Sequence, residues 1–198
     1  RSNPLKLAEF TLSRKDPDYV GRARETQELE KARLADPAAP DLLARVRALF
    51  ALCDAAILRD APDLGNVGIG STIFAMKPGD GSAREQAVSS QKMLGGEANV
   101  ALEYATKRYR SNLVNWGMLP FVADRGAEKV FQVGDWLCIP GIRASIREGK
   151  SRVSALLLRV REKEGFQRID LELELPNLDP EEREILLAGC LMNRYAAR

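Results

Sequence analysis

The fold of this chain is decided at residues 78–87, whose sequence is Pro-Gly-Asp-Gly-Ser-Ala-Arg-Glu-Gln-Ala. A short apolar run at 71–77 predicts a strand before it, and residues 84–94 predict a helix after it. A glycine-rich turn between a strand and a helix directs backbone N–H groups to one point, where the first helical turn adds unpaired donors and partial positive charge. Arg84 adds a guanidinium that can bind a carboxylate or phosphate through two hydrogen bonds. The stretch therefore predicts an anion site with the hydroxyl of Ser82 at its mouth.

A plainer interpretation of the same residues is a helix cap. Ser82 followed three residues later by Glu85 fits a capping box, in which the serine is the N-cap and the glutamate side chain bonds back to it. The two interpretations are compatible, because a cap fixes the loop that an anion would occupy. Gly79 and Gly81 favour the anion site, since one glycine suffices for a turn and a second indicates close approach of another group to the backbone.

Composition excludes several classes of function. The 198 residues carry a formal net charge of +2, so no general attraction to nucleic acid or to a membrane surface is expected. Histidine is absent, which removes Ser-His and Cys-His nucleophile pairs and histidine general bases. The three cysteines, Cys53, Cys138 and Cys190, are far apart, which argues against a disulfide framework and against a zinc or iron–sulfur site carried wholly by this chain. Reduced thiols and a cytoplasmic location are therefore expected.

The N-terminal part of the chain is predicted to be an arm. Residues 1–13 look irregular, and the helix that follows is charged and poor in apolar residues. The predicted elements here are a candidate strand at 7–12 and helices at 19–35 and 41–57. Because only the second helix has a continuous apolar face, we predict a linker or arm over 1–40 and one compact domain over 41–198.

The rest of the chain predicts an α/β fold. Strands are predicted at 71–77 and 98–102, with helices at 84–94 and 104–116. This spacing indicates parallel strands joined by crossovers. Period-two alternation predicts three further strands in an antiparallel meander, at 131–139, 152–161 and 167–174. Asp179-Pro180 begins a last helix. The expected architecture is a mixed central sheet plus antiparallel strands, flanked by helices.

Two further motifs indicate rival functions. Gly68-Ile69-Gly70 matches half of a dinucleotide fingerprint, but the third glycine and the preceding strand are missing. The basic cluster at 107–112 encloses an aromatic residue, which is compatible with contact to nucleic acid. A solvated helix edge explains the cluster better, because the net charge is near zero and no second basic patch accompanies it.

Three sequence blocks, taken in order, resemble a known family. They are Gly-Asp-Gly-Ser-Ala-Arg-Glu at 79–85, Leu-Gly-Gly at 94–96 and Arg-Ser-Asn-Leu-Val-Asn-Trp-Gly-Met-Leu-Pro at 110–120. Together with the Gly134-Asp135 turn and the closing helix, they resemble the C-terminal swivel domain of the aconitase and isopropylmalate isomerase superfamily. The resemblance covers roughly residues 64–198, and it implies a swivelling β/β/α domain that closes over an active site built mostly by other domains.

The resemblance also implies a reaction, which is the dehydration and rehydration of a hydroxy-polycarboxylate. Ser82 would be the base that removes a proton from a carbon next to a carboxylate, and Arg84 would bind a substrate carboxylate. A [4Fe-4S] cluster would be held by partner domains, in the same polypeptide or in a large subunit, and by none of this chain's residues alone. A helix N-terminus, a glycine loop and an adjacent arginine are the groups that could stabilise a serine alkoxide.

One residue departs from the family pattern. Ala83 stands where the family has a second serine that helps to hold substrate, so the chain is either a divergent hydratase with a different acid or an inactive relative. A further substrate arginine has no clear counterpart, although Arg45 and Arg59 are candidates. Two non-catalytic alternatives stay open: a swivel module that binds RNA through Lys107, Arg108 and Arg110, and a carboxylate or phosphate sensor that uses residues 79–85 without chemistry.

Overall fold

A computed structural model describes residues 3–37, 64–161 and 165–196 of the chain. The helix predicted at 41–57, and with it Arg45, Cys53 and Arg59, lies outside these ranges. The strands are β1 Ser71–Ala75, β2 Gly96–Ala101, β3 Leu119–Ala123, β4 Trp136–Cys138, β5 Arg152–Arg161 and β6 Gly165–Glu174. The α-helices are α1 Pro4–Ser13, α2 Tyr19–Ala35, α3 Arg84–Met93, α4 Lys107–Asn115, α5 Ile142–Glu148, α6 Pro180–Ala188 and α7 Leu191–Ala196.

The six strands form one mixed sheet in the order β1-β2-β3-β6-β5-β4. β1, β2 and β3 are parallel, and α3 and α4 supply the two crossovers between them. β6 pairs antiparallel with β3, and β5 and β4 continue the antiparallel half. The predicted α/β class, with a parallel unit followed by an antiparallel meander, is confirmed.

One large apolar cluster spans both halves of the sheet. The strands contribute Val100, Phe121, Val153 and Leu173, all 5% exposed or less, and the helices α4, α5 and α6 cover them with Val114, Ile146, Ile185 and Leu186. Leu156 and Leu158 of β5 point the other way and pack with Trp136 and Cys138, as alternation along a strand requires. The main core cluster packs against the parallel strands, and the loops of interest begin at the ends of β1 and β2.

The N-terminus differs from its prediction, because residues 4–13 form helix α1 rather than irregular chain or a strand. Asn3 caps the helix by accepting a hydrogen bond from the Lys6 N–H (3.1 Å), and Pro4 occupies its first turn. Ala8 is fully buried with Ala23 of α2 and with Leu94. The helix at Tyr19–Ala35 has the predicted bounds. The predicted division into an arm at 1–40 and a domain at 41–198 stays a prediction.

The region around residues 131–148 also differs in detail. The strand predicted at 131–139 is limited to β4, because the Phe131 ring stacks on Phe74 (4.8 Å between centroids) and residues 132–135 form a turn closed by the Gln132 N–H and the Asp135 carboxylate (2.8 Å). Arg159 of β5 holds the same carboxylate with two hydrogen bonds of 2.7 Å. Helix α5, between Gly141 and Gly149, was not predicted.

Candidate anion site at the start of helix α3

The loop between β1 and α3, residues 76–83, is anchored to the segment that follows β2. The Met76 carbonyl accepts a hydrogen bond from the Glu103 N–H (3.1 Å), and the Pro78 carbonyl accepts one from the Ala105 N–H (2.9 Å). These two bonds extend the parallel pairing beyond the strand ends. They place the loop beside the start of α4, at the carboxyl ends of two parallel strands, where α/β proteins commonly bind ligands.

Gly79 is the point where the loop touches α4 most closely. Its backbone has a φ of +98°, which favours glycine, and a Cβ at this position would lie 2.4 Å from the Cβ of Tyr109. Its carbonyl oxygen accepts two hydrogen bonds, one from the Thr106 hydroxyl (3.0 Å) and one from the Arg84 Nε (3.3 Å). The group that closely approaches the backbone of Gly79 is therefore helix α4 of the protein itself.

Ser82 lies one residue before the N-cap, so the predicted capping box is wrong. Ala83 is the N-cap residue of α3 and offers no side-chain hydrogen bond. The helix begins one residue later than the pattern suggested, and Glu85 accepts a hydrogen bond from the Trp116 Nε1 instead of bonding back to a cap. Ser82 is exposed, and its hydroxyl has no hydrogen-bond partner among the described residues.

A side chain from α4 replaces part of the missing cap. With its amide oriented so that both atoms are satisfied, the Asn112 carbonyl oxygen accepts a hydrogen bond from the Glu85 N–H (3.1 Å), and its amide nitrogen donates to the Arg108 carbonyl (3.3 Å). The N–H groups of Arg84 and Gln86 have no side-chain acceptor in the described part of the chain. The first turn of α3 therefore keeps donors and partial positive charge for an anion.

The Arg84 guanidinium is tethered at one end and open at the other. Its Nε donates to the Gly79 carbonyl, while the two terminal nitrogens have no acceptor in residues 3–37, 64–161 and 165–196. The residue is half-buried. An arginine held in this way presents two parallel N–H donors, which is the geometry that binds a carboxylate in a bidentate manner. The three predicted site residues, Ser82, Ala83 and Arg84, therefore all lie at the start of helix α3.

Tyr109 is the buried support beneath the loop. Its hydroxyl accepts hydrogen bonds from the Gln91 amide nitrogen of α3 (3.0 Å) and from the Asn99 amide nitrogen of β2 (2.9 Å). Burial raises the pKa of this hydroxyl, and the two donated hydrogen bonds oppose the rise. The ring packs with Val88, Leu113 and Met118. Helix α3, strand β2 and helix α4 thus meet at one side chain directly below Gly79.

Sequence reasoning missed the supporting residues Thr106, Tyr109 and Trp116. Thr106 carried a usable signal, because a threonine before a helix is a common N-cap, and its Oγ1 does accept from the Tyr109 N–H (3.3 Å). The contacts of Tyr109 to Gly79 and of Trp116 to Glu85 join residues that are about thirty positions apart in the sequence. No local pattern encodes such contacts.

The rival motifs are engaged within the protein. Arg110, a member of the basic cluster, is 9% exposed and donates to the Pro176 carbonyl (3.0 Å) and to the Glu182 carboxylate (2.6 Å), so it is not available to a surface ligand. Lys107 and Arg108 are exposed. In the Gly68-Ile69-Gly70 motif, the Ile69 N–H donates to the Glu30 carboxylate of α2 (3.0 Å). A phosphate bound by this motif would need the same N–H, which a carboxylate of this chain already uses.

No group of three metal-ligating side chains occurs among the residues that the structure describes. Cys138 of β4 and Cys190, between α6 and α7, are both half-buried and form no disulfide. These described residues therefore do not fit an iron–sulfur cluster, which takes several cysteine thiolates. Within the same ranges, no helix is both long enough and apolar enough to cross a membrane.

Comparison with known protein families finds a match over the parallel half of the sheet. Residues 67–126 match the family of aconitase C-terminal domains, and this segment contains β1, the loop, α3, β2, α4 and β3. The match confirms the predicted resemblance for the segment that carries all three sequence blocks.

Among solved structures, the chain is similar to the 3-isopropylmalate dehydratase of Methanocaldococcus jannaschii DSM2661. The similarity extends over 68% of each chain, with 25% sequence identity and a TM-score of 0.43. No curated protein matches the chain.

Proposed function

We propose that this chain is the swivel domain of an aconitase-type hydro-lyase, which dehydrates and rehydrates a hydroxy-polycarboxylate. The family match over residues 67–126 supports the class of protein. The observation that carries the reaction is the pairing, at one helix start, of an exposed Ser82 hydroxyl with an Arg84 guanidinium whose terminal nitrogens have no acceptor in the described residues. The first provides a base and the second a carboxylate clamp.

In this proposal Ser82 acts as its alkoxide. It takes the proton from the carbon next to a substrate carboxylate, and the electron pair of that C–H bond forms the new double bond as the hydroxyl leaves the neighbouring carbon. A serine alkoxide is unstable near neutral pH unless donors and positive charge surround it. The open N–H groups of the first turn of α3 and the charge of Arg84 are the groups of this chain that supply such an environment.

Arg84 orients the substrate. Its two open nitrogens bind the carboxylate next to the reacting carbon, which fixes that carbon near the Ser82 oxygen and stabilises the charge that develops on the carboxylate when the proton leaves. Because Nε is already bonded to the Gly79 carbonyl, the fork is ordered before substrate arrives. Less side-chain entropy is then lost on binding.

Ala83 would set which acid is accepted. A methyl group at the N-cap replaces the hydroxyl that the family pattern would place there, so a substrate loses one hydrogen bond at this position. A substrate with an apolar group facing Ala83 avoids leaving a polar atom unpaired. We therefore favour an acid that presents an apolar group at this position over one that presents a further carboxylate.

The remaining parts of the active site belong to partner domains in this proposal. A [4Fe-4S] cluster there would assist departure of the hydroxyl. Because the described residues of this chain do not fit such a cluster, the chain's own contribution is the base and the clamp. The partner is an aconitase-type domain, in the same polypeptide or as a large subunit.

The test is a hydratase assay of the complete enzyme, reconstituted with iron and sulfide, on 3-isopropylmalate and on citrate. Arg84→Gln removes the clamp and is expected to lower kcat/KM by about a hundredfold, because charged hydrogen bonds to substrate contribute about 3 kcal/mol. The matched control is Arg108→Gln, which removes the same charge from an exposed position on α4. Equal activities of the two variants would contradict the clamp. Binding of polycarboxylates without turnover by the wild type would support the sensor alternative.

A further inference from the structure

We propose that Thr106 is a positioning residue for the Arg84 clamp, acting through the Gly79 carbonyl; this inference rests on the proposed function of Arg84. The Gly79 oxygen is shared by two donors, the Thr106 hydroxyl at 3.0 Å and the Arg84 Nε at 3.3 Å. A carbonyl oxygen has two lone pairs, so both bonds can form together. The threonine thus fixes the acceptor to which the arginine is tethered.

The Gly79 peptide needs such a restraint because its residue type allows rotation. A glycine populates positive and negative φ with similar ease, and at Gly79 the observed φ is +98°. Rotation of the peptide would turn the carbonyl away from Arg84 and release Nε. The hydrogen bond from the Arg84 Nε is the longer of the two, and its donor belongs to a flexible side chain. It therefore cannot hold the carbonyl by itself.

Thr106 itself is fixed by two contacts on the helix side. Its Oγ1 accepts from the Tyr109 N–H (3.3 Å) as the N-cap of α4, so its proton is directed towards Gly79. The Tyr109 ring then lies against the Gly79 α-carbon, and its hydroxyl is held by Gln91 and Asn99. Movement of α4 at this end would therefore be transmitted to the Arg84 fork by contacts that are already packed.

Three substitutions separate this role from that of a helix cap. Thr106→Ser keeps both the donor and the cap acceptor. Thr106→Asp keeps the acceptor for the Tyr109 N–H but has no proton to donate to Gly79 near neutral pH. Thr106→Val keeps the shape and loses both functions.

In the complete enzyme we expect Thr106→Ser to retain the wild-type KM. Thr106→Val and Thr106→Asp should both raise KM by about tenfold, the loss associated with one hydrogen bond. In an Arg84→Gln background neither should raise it further, because the effect passes through the arginine. If KM rises with Thr106→Val alone, the effect belongs to the helix cap. If KM rises with Thr106→Asp alone, the effect belongs to the added charge. Either result would overturn the proposal.

A readout without turnover distinguishes the positioning of Arg84 by Thr106 from the role of Arg84 as a substrate clamp. In ¹H–¹⁵N spectra of the 198-residue chain, the Arg84 Nε–H resonance should keep its position and slow solvent exchange in Thr106→Ser, and lose both in Thr106→Val and Thr106→Asp. An unchanged resonance in Thr106→Val would overturn the positioning role. If Arg84→Gln leaves turnover unchanged while the resonance responds as expected, the clamp is wrong and the positioning of Arg84 by Thr106 still stands.

Discussion

Arg110 of α4 and Glu182 of α6 form a largely buried ion pair with 2.6 Å between Nη2 and Oε1, although they are 72 positions apart in the sequence. Arg110 also donates to the Pro176 carbonyl, and the second oxygen of Glu182 accepts from the Asp179 N–H in the capping box of α6. The pair therefore joins the helix below the candidate site to the closing helix of the fold. It gives a structural role to one of the three cationic residues on which the nucleic-acid alternative rests.

Replacing Arg110 should destabilise the protein. Arg110→Met leaves the Glu182 carboxylate buried without its partner, and the free energy of unfolding should fall by about 3 kcal/mol. Lys107→Met, one helical turn earlier and exposed, should change it by less than about 0.5 kcal/mol. Urea denaturation of both variants measures the difference, and similar stabilities would show that the ion pair contributes nothing.

Gly117 and Gly141 provide a matched pair of glycines. Their φ angles are +70° and +66°, but a Cβ on Gly117 would lie 1.6 Å from the Gly189 carbonyl oxygen, whereas a Cβ on Gly141 meets nothing within 4 Å. Gly141→Ala should cost about 1 kcal/mol for the left-handed backbone alone. Gly117→Ala must also separate two backbone segments, so it should cost several times as much or prevent folding. Equal melting temperatures of the two variants would contradict the close packing of these segments.

Burial of Tyr104 should make the protein sensitive to alkaline pH. Burial raises the pKa of its hydroxyl well above the ordinary value of 10.0, and the nearby Tyr109 raises it further. The folded state then retains a proton that the unfolded state loses, so stability is complete below about pH 10 and falls as the pH rises through the folded-state pKa. Tyr104→Phe removes this group, and its free energy of unfolding should fall less between pH 9 and pH 11 than that of the wild type. Identical slopes would contradict the buried hydroxyl.

The parallel half of the fold was predictable because its signals are local. β1, α3 and β2 follow from short apolar runs and glycine breaks at 71–102, and α2 has the predicted bounds. Helix α1 was missed because Leu5, Leu7, Phe10 and Leu12 nearly alternate, as in a strand, while the start signal Asn3-Pro4 indicated a helix. Leu5, Leu7 and Phe10 are exposed, so α1 is held through Ala8 and Leu12 and not through most of its large apolar residues.

The roles of Ser82 and Arg84 stay predictions, and the contacts that support their loop were not foreseen from the sequence. Ser82 and Arg84 were identified by the glycine-rich turn before a helix, but the helix starts at Arg84, one residue later than the serine cap required. Asn112 of α4 and Trp116, which directly follows α4, engage Glu85 instead, and such contacts depend on how two helices pack. The hydrogen bond from Thr106 to the Gly79 carbonyl also depends on packing between distant residues, so the sequence did not indicate it.

If Ser82 is the base of a hydro-lyase, its removal should stop proton exchange at the substrate carbon. The complete enzyme, reconstituted with iron and sulfide, is assayed for solvent deuterium exchange at the substrate carbon next to the carboxylate. Ser82→Ala is compared with Ser89→Ala, a control within helix α3. Loss of a catalytic base should lower exchange and turnover by at least about a thousandfold, with no change in melting temperature, because the Ser82 hydroxyl has no partner among the described residues. Ser89→Ala should keep wild-type exchange. A Ser82→Ala enzyme that exchanges the proton at the wild-type rate would contradict the claim.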